Sequence, residues 1–188
     1  MKTSAVYDRT KKEPFFETDR CYFRSLRDKI ALKKMVTKFR SKWELECHLI
    51  PKYQKYLNKP SKAPIEVKWI DPVMGHGVFA TAPIKKGTFI CEYTGLITNE
   101  DLIESDNRYI FNLTVGDDET GYVIDARYSG NVARRINHSS KPNLESITLF
   151  IEGLPRVLYI ANRDIKKNEQ LFVDYGEEYW HQWTPSED

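Results

Sequence analysis

The sequence predicts a mostly β domain of short strands, preceded by a largely helical N-terminal extension. From residue 63 onward, apolar and polar residues alternate in short runs, which is the period of a half-buried strand. Turn sequences such as KKG, GDDETG and EGLP separate most of these runs. Earlier in the chain the apolar spacing is mostly three or four residues, the period of a helix face. We therefore predict an extension over residues 1–62, a domain over 63–183 and a tail over 184–188.

The extension begins with a polar arm and continues as a helix. Residues 1–18 carry charged and turn-forming types without a period, which predicts a loose or draped arm. Residues 20–45 are predicted as an amphipathic helix from apolar residues near helical spacing, namely Phe23, Leu26, Ile30, Val36, Phe39 and Trp43. Pro51 suits the first turn of a second short helix. The following NKPSKAP segment, residues 58–64, has the composition of a linker.

Eight short segments of the domain are predicted as strands. They are residues 65–70, 77–82, 88–93, 109–115, 122–126, 146–152, 156–165 and 171–175. No internal repeat or low-complexity tract interrupts them. At 188 residues the chain is long enough for one domain with a substantial core and an attached extension.

Composition excludes several classes of protein. No apolar run approaches the ~20 residues of a membrane span, and the N-terminus lacks the apolar region of a secretory signal. The cysteines Cys21, Cys47 and Cys91 are widely spaced without a CxxC pair, which favours neither a disulfide framework nor a zinc cluster. We expect a protein without a membrane partner that works in an intracellular, reducing compartment.

Charge is distributed unevenly along the chain. Residues 1–62 hold 17 Lys/Arg against 7 Asp/Glu, a net of +10, whereas residues 63–188 hold 12 against 20, a net of −8. A basic segment is a solvated helix face or a contact for nucleic acid or an acidic partner. The acidic domain attracts cationic ligands and disfavours phosphate backbones, so Lys/Arg-rich peptide segments are the expected ligand class.

Two groups of segments contain candidate chemistry. In MGHGVFA, residues 74–80, glycines flank His76, which permits either a bulged turn or close approach of the backbone to a ligand. Tyr93, Tyr109 and Tyr175 each lie beside a turn or at a strand end. They are core rings with satisfied hydroxyls, or the walls of a narrow slot for an alkyl chain that ends in an amine.

The polar segment VARRINHSSKPNLE, residues 132–145, leaves little apolar surface for a core. Asn137, His138 and Arg134 offer directed donors and acceptors for a zwitterionic ligand or an adenine edge. The same side chains also suit a structural loop that satisfies its own backbone groups. A hydrolase is not indicated by His138 next to Ser139, because sequence neighbours seldom have nucleophile–base geometry.

Taken together and in this order, the segments resemble the SET-domain protein lysine methyltransferases. The resemblance spans about residues 64–183. It rests on GHGVF for the GxG cofactor turn, EYTG, YIFNL, IDARYSGNVARRINHSSKPNL for the RFINHSCxPN signature, and LFVDYGEEYW for the closing strand and its tyrosine. The segment APIEVKWIDPVMGHGVFA, the basic helical front end and DYGEEYW without a cysteine-rich tail are most similar to the short SET proteins of chlamydiae and related intracellular bacteria.

The resemblance implies a fold, a cofactor and a set of site residues. The fold is the SET fold, in which the NHS segment threads beneath the C-terminal strand in a pseudoknot, and the cofactor is S-adenosyl-L-methionine, with no metal required. The residues implied to bind the cofactor are Met74, Gly75, His76, Gly77, Arg134, Asn137, His138, Tyr179 and Trp180. The catalytic residues implied are Tyr175, which orients the methyl group and the amine, and Tyr93, which helps to hold the amine. Tyr109, Phe111 and Val173 are implied to line the lysine channel.

Three positions depart from the family pattern. Ser140 stands where many relatives have a zinc-binding Cys, which argues against a post-SET zinc site and leaves Trp180, Trp183 or a second subunit to close the channel. Arg135 replaces an apolar residue of the signature, which affects the local packing. Val173 occupies a position where relatives carry Phe or Tyr, and its smaller volume predicts di- or trimethylation.

Alternative functions are a catalytically silent SET-like domain that binds a protein partner and a DNA- or chromatin-binding protein that uses its basic extension. The expected partner of an enzyme is a lysine-rich protein such as a histone or a histone-like protein, with nucleic acid involved only indirectly. The apolar face of the front helix also predicts burial on its own domain or in a homodimer. For a bacterial effector, we expect secretion into the host cell and a nuclear location. Asp174 and Glu177 are interpreted as solvated or structural carboxylates rather than acid–base groups.

Overall fold

The structure is a computed structural model that describes residues 5–7, 14–38, 48–116, 118–176 and 179. Strands dominate these ranges. The chain forms two compact units, each assembled from separate stretches of sequence. The first comprises Met1–Lys62, Phe89–Arg134 and Ile147–Tyr159, and the second Ala63–Thr88, Arg135–Ser146 and Ile160–Asp188. The division into extension, domain and tail stays a prediction, although one boundary between units does fall at residue 62.

The first unit contains the longer sheets. β7 (Leu96–Asn99), β9 (Asp118–Asp125) and β8 (Ile110–Val115) pair antiparallel, and β3 (Tyr22–Phe23) adds to β7 in parallel. A three-stranded sheet, most of whose residues belong to this unit, has the order β12 (Leu144–Ile151), β13 (Leu154–Ala161) and β6 (Phe89–Tyr93). A third has the order β1 (Ala5–Tyr7), β2 (Pro14–Glu17) and β10 (Ser129–Gly130). The core of this unit includes the fully buried Leu32, Ile90, Ile97, Leu113, Ile124 and Leu158.

The second unit is organised by two small strand pairs. β4 (Ile65–Asp71) and β5 (Gly75–Ala80) form an antiparallel hairpin, and β11 (Asn137–His138) pairs in parallel with β14 (Phe172–Val173). A bridge between Phe79 and Gln170 and a hydrogen bond from Leu171 N to Val78 O connect β5 to the chain that leads into β14. These links bring the GHG segment and the NHS segment together within one unit.

Helix α1 (Leu26–Lys38) begins later than the residue pattern predicts. The prediction of helix over residues 20–25 is wrong because Tyr22 and Phe23 form β3. The helix starts after Ser25, whose Oγ caps the first turn by accepting from Asp28 N at 3.2 Å and also donates to Asp28 Oδ2 at 2.7 Å. The remaining predicted stretch, residues 39–45, lies outside the described residues.

The face that α1 buries also differs from the predicted one. Leu32 and Val36 are buried, whereas Leu26 and Ile30 are largely exposed. Val36 of the predicted face is thus buried within the chain, whereas Leu26 and Ile30 are not, and burial in a homodimer stays a prediction.

The other element predictions agree closely with the structure. α2 (Ile50–Tyr53) has Pro51 in its first turn, as predicted, and a 3₁₀ turn, Gln54–Tyr56, follows it. Each of the eight predicted strand segments overlaps an observed strand. The sequence did not predict β1, β2, β3, β7, β10 and β11, most of which are very short. No helix among the described residues is both long and apolar enough to cross a membrane.

Candidate active site

The GHG segment begins β5 in the second unit, and the turn that leads into it, here called the GHG turn, is tightly held. Asp71 Oδ1 accepts hydrogen bonds of 2.7 Å from the backbone N–H groups of Val73 and Met74. Gly75 then adopts φ +69°, a left-handed conformation that favours glycine. The strand register shifts between Trp69 and Asp71, in β4. The interpretation of residues 74–80 as a bulge or turn therefore holds only at Met74, because residues 75–80 form β5.

Gly77 leaves room for a neighbouring side chain. A Cβ on Gly77 would lie 2.6 Å from Gln170 Nε2 and 2.7 Å from Ile70 Cδ1, and both distances are shorter than a Cβ normally has to any non-bonded atom. Gln170 Nε2 is buried and has no hydrogen-bond partner within the part of the chain that the structure describes. A buried amide normally finds such a partner, so this group is suited to a ligand atom or an ordered water molecule.

The NHS segment is attached directly to the GHG turn. Asn137 Nδ2 donates a 3.1 Å hydrogen bond to the carbonyl of His76. In the same strand pair, Asn137 lies opposite Phe172 and His138 opposite Val173. This parallel pairing places the NHS segment alongside the strand that immediately precedes Tyr175.

Tyr175 is held by the NHS segment through two hydrogen bonds. Its hydroxyl donates to the carbonyl of Ile136 at 2.8 Å, and its backbone N–H donates to His138 Nδ1 at 3.1 Å. Because His138 Nδ1 accepts, a neutral imidazole at this position carries its proton on Nε2. The ring of Tyr175 lies 5.5 Å from His138 and 4.6 Å from the edge-on ring of Tyr179, measured between ring centroids.

The two carboxylates next to Tyr175 were interpreted as solvated or structural groups. Asp174 has a largely exposed side chain, and its Oδ1 accepts from Gly176 N at 2.9 Å and lies 3.5 Å from His138 Nδ1. These contacts give Asp174 a structural role at the turn. Glu177 lies outside the described residues.

Asn143 holds the chain at the start of β14. The residue is almost completely buried, and its side chain makes hydrogen bonds of 2.8 Å in both directions. Oδ1 accepts from Phe172 N, and Nδ2 donates to the carbonyl of Gln170. Asn143 therefore fixes the chain between the buried amide of Gln170 and Tyr175.

The first unit contains a separate cluster of aromatic rings around Tyr93. Its ring is tilted against Phe111 at a centroid distance of 5.6 Å and lies edge-on to Tyr159 at 6.1 Å. Tyr93 and Tyr159 are both buried. This geometry suits an alkyl chain and its amine, because ring faces attract cations and ring edges pack against methylene groups.

Tyr109 is placed by a chain of polar contacts in the same unit. Its backbone N–H donates to Asn107 Oδ1 at 2.9 Å, and Asn107 Nδ2 donates to Asp125 Oδ1 at 2.9 Å. The carbonyl of Tyr109 accepts from Ala126 N at 2.8 Å. The buried Asn107 thus determines where the strand containing Phe111 begins.

Arg134 also belongs to the first unit. The centre of its guanidinium lies 3.9 Å from the ring centroid of Tyr109 and 4.4 Å from that of Phe15. Nη2 donates to the carbonyl of Arg127 at 3.2 Å, and the residue is only 7% exposed. These contacts bring Arg134 together with a predicted channel residue.

A buried ion pair lies next to Tyr93 in the sequence of β6. Glu92 is 4% exposed, and both of its carboxylate oxygens accept from the guanidinium of Arg156. Cys21 Sγ donates to the carbonyl of Tyr93 at 3.5 Å, and Asn131 Nδ2 donates to that of Glu92 at 2.9 Å. Burial, and secondarily the charge of Glu92, raise the pKa of the Cys21 thiol to about 12, so the thiol stays a neutral donor.

Comparison with known proteins identifies the family. The sequence pattern of the SET domain matches residues 75–176, which is more than half of the chain. The chain belongs to the SET-domain family. The SET domain spans both groups of side chains described above, and the predicted mostly β SET fold is confirmed.

The SET-domain relatives include named methyltransferases. "Histone-lysine N-methyltransferase EHMT1" of Mus musculus is 42% identical over 113 residues, which cover 57% of this chain and 9% of that protein. "Histone-lysine N-methyltransferase Su(var)3-9" of Drosophila pseudoobscura pseudoobscura is 39% identical over 114 residues, which cover 54% of this chain and 18% of the relative. The chain therefore spans a small part of these relatives.

A solved SET-domain structure is also similar. It is the crystal structure of KRYPTONITE in complex with mCHH DNA, H3(1-15) peptide and SAH, with a TM-score of 0.54 and 31% sequence identity. The match covers 63% of this chain and 24% of the other.

The predicted site residues fall into two groups, one in each unit. The second unit brings together Gly75, His76, Gly77, Asn137, His138, Val173, Tyr175 and Tyr179. The first unit contains Tyr93, Tyr109, Phe111 and Arg134. Met74 is 45% exposed at the turn, and Trp180 lies outside the described residues. The roles of these residues stay predictions.

Sequence reasoning missed several residues that hold the site. They are Phe15, Asn107, Asn131, Asn143, Tyr159 and Gln170. Asn107 and Asn143 lie in turn sequences, SDNR and KPN, where an Asn side chain commonly bonds to the backbone. Phe15 gave no usable signal, because its contact with Arg134 joins residues far apart in the chain.

Proposed function

We propose that the protein is an S-adenosylmethionine-dependent protein-lysine N-methyltransferase. The observation that carries the proposal is the attachment of Tyr175 to the NHS segment, through its hydroxyl to Ile136 and its backbone to His138. The same segment holds the GHG turn through Asn137 and His76. The histone-lysine methyltransferase names of the relatives support this activity.

The residues of the second unit fit the cofactor. A zwitterionic nucleoside needs close backbone approach and unpaired polar groups. Gly75, with open space where a side chain would be, supplies the first, and the buried amide of Gln170 supplies the second. We propose that the turn from Met74 to Gly77, Asn137 and His138 hold it, with Tyr179 and Trp180 on the adenine. The SAH in the KRYPTONITE complex supports this assignment. When bound, S-adenosylmethionine supplies an electrophilic methyl group on a positively charged sulfur.

Methyl transfer requires the protein to align the lysine amine with the methyl group, and it does not require a nucleophilic side chain. The hydroxyl of Tyr175 has one proton, which it donates to Ile136, so toward the lysine amine its oxygen acts as an acceptor of an N–H. We assign the aromatic cluster of Tyr93 and Phe111, together with Tyr109, to the lysine side chain. Aromatic surroundings penalise the ammonium form and thereby favour the neutral amine that attacks.

The proposed substrate is a Lys/Arg-rich protein such as a histone or histone-like protein. The net charge of −8 over residues 63–188 supports a cationic substrate. We further propose that the protein is most closely related to the short SET proteins of chlamydiae and acts as a bacterial effector in the host nucleus. This part rests on the segments around GHGVFA and DYGEEYW, and fractionation of infected host cells with a specific antibody tests it.

A radiolabelled methyl-transfer assay tests the activity. Core histones and a lysine-rich bacterial histone-like protein serve as substrates, with Tyr175→Phe as the test variant and Tyr56→Phe as the matched control. Tyr56 stacks on Phe89 at 5.1 Å and has no proposed part in the reaction. We expect label in lysine for the wild type and Tyr56→Phe, and a sharp loss for Tyr175→Phe.

Calorimetry with S-adenosylhomocysteine separates the possible failures. Binding of the nucleoside by the wild type without any transfer to either substrate would contradict the proposed substrate class. Neither binding nor transfer would contradict the enzyme and favour a silent partner-binding domain. Steeply salt-dependent DNA binding that disappears on removal of residues 1–62 would support the chromatin-binding alternative.

A further inference from the structure

Arg134 lies against two aromatic rings that come from distant parts of the sequence. The centre of its guanidinium is 3.9 Å from the ring centroid of Tyr109 and 4.4 Å from that of Phe15. The guanidinium is buried, which strengthens its attraction to both ring faces because little water competes. The planar fork of an arginine is also well suited to stacking, which a lysine cannot reproduce.

Phe15 is brought to this position by strand β2. Phe16 pairs with Ser129 and Glu17 with Gly130 in a parallel register, and Phe16 N donates to the carbonyl of Tyr128 at 2.9 Å. Neighbouring side chains on a strand point to opposite faces. Phe15 is accordingly buried against Arg134, while Phe16 is 43% exposed.

The same N-terminal segment also touches the surroundings of Tyr93. Thr94 Oγ1 donates to the carbonyl of Thr18 at 2.6 Å, and Cys21 Sγ donates to that of Tyr93. Residues 14–23 therefore contact the neighbourhood of both proposed lysine-recognition tyrosines. All of them lie before residue 75, where the SET-domain match begins.

Backbone hydrogen bonds alone do not fix the orientation of the Tyr109 ring. The bonds to Asn107 and Ala126 place the main chain, but a side chain still selects among its rotamers. The contact with Arg134 supplies this selection, and the ring of Phe15 in turn confines the guanidinium. Through Arg134, Phe15 is thus connected to the ring that we assign to the substrate lysine.

We propose that Phe15 is a positioning residue that acts through Arg134 on Tyr109, so that the N-terminal segment, residues 14–23, sets lysine recognition. This inference rests on the proposed methyltransferase function. It assigns Arg134 to the substrate side of the reaction instead of to the cofactor. It also gives the segment before the SET-domain match a part in substrate affinity.

Steady-state kinetics with a histone-tail peptide test the inference. Phe15→Leu keeps an apolar side chain but removes the ring, and Phe15→Tyr restores the ring. The free energy of a cation–π contact corresponds to a change of about 3- to 30-fold in a binding constant. We expect KM for the peptide to rise by about that factor in Phe15→Leu with kcat nearly unchanged, since an interaction present before and during transfer affects KM alone. Phe15→Tyr is expected to recover most of the affinity.

Two controls separate positioning from a general loss of structure. Phe16→Leu, at the exposed neighbouring position, is expected to leave KM unchanged. Binding of S-adenosylhomocysteine, measured by calorimetry, is expected to stay within about twofold of wild type in every variant, because Arg134, which Phe15 contacts, is not among the residues proposed to hold the nucleoside. An unchanged KM in Phe15→Leu, or an equal loss of nucleoside binding, would overturn the inference.

Aromatic NMR provides a measurement that does not require turnover. In protein labelled with ¹³C-tyrosine, the Tyr109 ring signal is assigned by its disappearance in Tyr109→Phe. We expect this signal to shift in Phe15→Leu, to stay in place in Phe16→Leu and to return toward its original position in Phe15→Tyr. A Tyr109 signal unmoved by Phe15→Leu would overturn the inference, whereas a shifted signal in a protein without methyl transfer would contradict only the proposed function.

Discussion

The hydroxyl of Tyr175 donates a 2.8 Å hydrogen bond to the backbone carbonyl of Ile136. These residues are 39 positions apart in the sequence, and the bond directs the phenol toward the NHS segment. Because the hydroxyl proton is committed to this carbonyl, the oxygen meets a ligand only as an acceptor. Both the anchoring and the acceptor role depend on one oxygen atom.

Tyr175→Phe is therefore expected to damage catalysis more than folding. Loss of one hydrogen bond costs about 1 kcal/mol of unfolding free energy. Loss of a group that orients the reacting amine is expected to lower kcat by about 100-fold or more, comparable to the removal of other positioned catalytic groups. Urea denaturation and single-turnover kinetics on the same preparation measure the two effects. If the loss of transition-state free energy calculated from kcat is no larger than the loss of unfolding free energy, the catalytic assignment of Tyr175 is refuted.

Gly77→Ala is expected to disturb the GHG turn through Gln170. The added Cβ would lie 2.6 Å from Gln170 Nε2 and 2.7 Å from Ile70 Cδ1, so these side chains or the turn must move. Overpacking of this kind costs about 1–3 kcal/mol. We expect weaker binding of S-adenosylhomocysteine, with partial recovery in Gly77→Ala/Gln170→Ala because one of the two contacts is then relieved. Calorimetry on the four proteins of the double-mutant cycle measures the coupling, and strict additivity would contradict it.

The Glu92–Arg156 pair is expected to stabilise the fold only as a pair. Glu92 is buried, so Arg156→Leu leaves a charged carboxylate without its partner and is expected to cost about 3–5 kcal/mol. Replacement of both residues, Glu92→Met/Arg156→Met, is expected to recover most of that loss because no charge remains buried. Chemical denaturation compares the variants. A double variant as unstable as Arg156→Leu would show that the ion pair is needed for packing as well as for charge.

The sequence predicts those features of this fold that depend on neighbouring residues. Alternating patterns predicted β4 and β5, and Pro51 predicted the start of α2. Strands of two residues, such as β11, are too short to show any period. The predicted start of α1 was wrong because long-range pairing of Tyr22 with Leu96 outweighed the helical spacing.

For the site, sequence pattern and resemblance predicted the residue types better than their contacts. Asn137, His138 and Tyr175 were all expected in one place, and the structure brings them into one unit. The contact of Phe15 with Arg134 and the two hydrogen bonds from the Asn143 side chain to the chain at the start of β14 depend on tertiary packing. No local pattern specifies such contacts.

Stability is expected to decline above about pH 9, in part because of Cys21. Burial holds the pKa of its thiol at about 12 in the folded protein, against an ordinary value of 9.0. Between these values the unfolded chain has lost a proton that the folded protein retains. Stability therefore falls as the pH rises, by about 1.4 kcal/mol per pH unit for each such group. Burial also raises the pKa of Cys91, which adds to the decline.

Urea midpoints between pH 7 and 11 test this expectation, with Cys21→Ala as the comparison. The variant is expected to lose stability less steeply with pH than the wild type does. Alkylation with iodoacetamide at pH 8, mapped by mass spectrometry, is expected to modify Cys21 slowly in the folded protein and rapidly in urea. Equal rates in both states would contradict a neutral, protected thiol.

Val173 is predicted to permit the addition of more than one methyl group. It lies in β14, opposite His138 and two residues before Tyr175, where a larger ring would reduce the space near the reacting amine. We expect wild-type protein to accumulate di- or trimethyl-lysine in long incubations and Val173→Phe to stop at monomethyl-lysine.

The side chain of Val173 is only 2% exposed, so the substitution also lowers the unfolding free energy by an overpacking cost of about 1–3 kcal/mol. Mass spectrometry of the product peptide distinguishes the outcomes, with Val173→Ile as a smaller enlargement that keeps multiple methylation. Monomethyl-lysine as the sole wild-type product would disprove the role of Val173, because the space it leaves would then have no effect on the reaction.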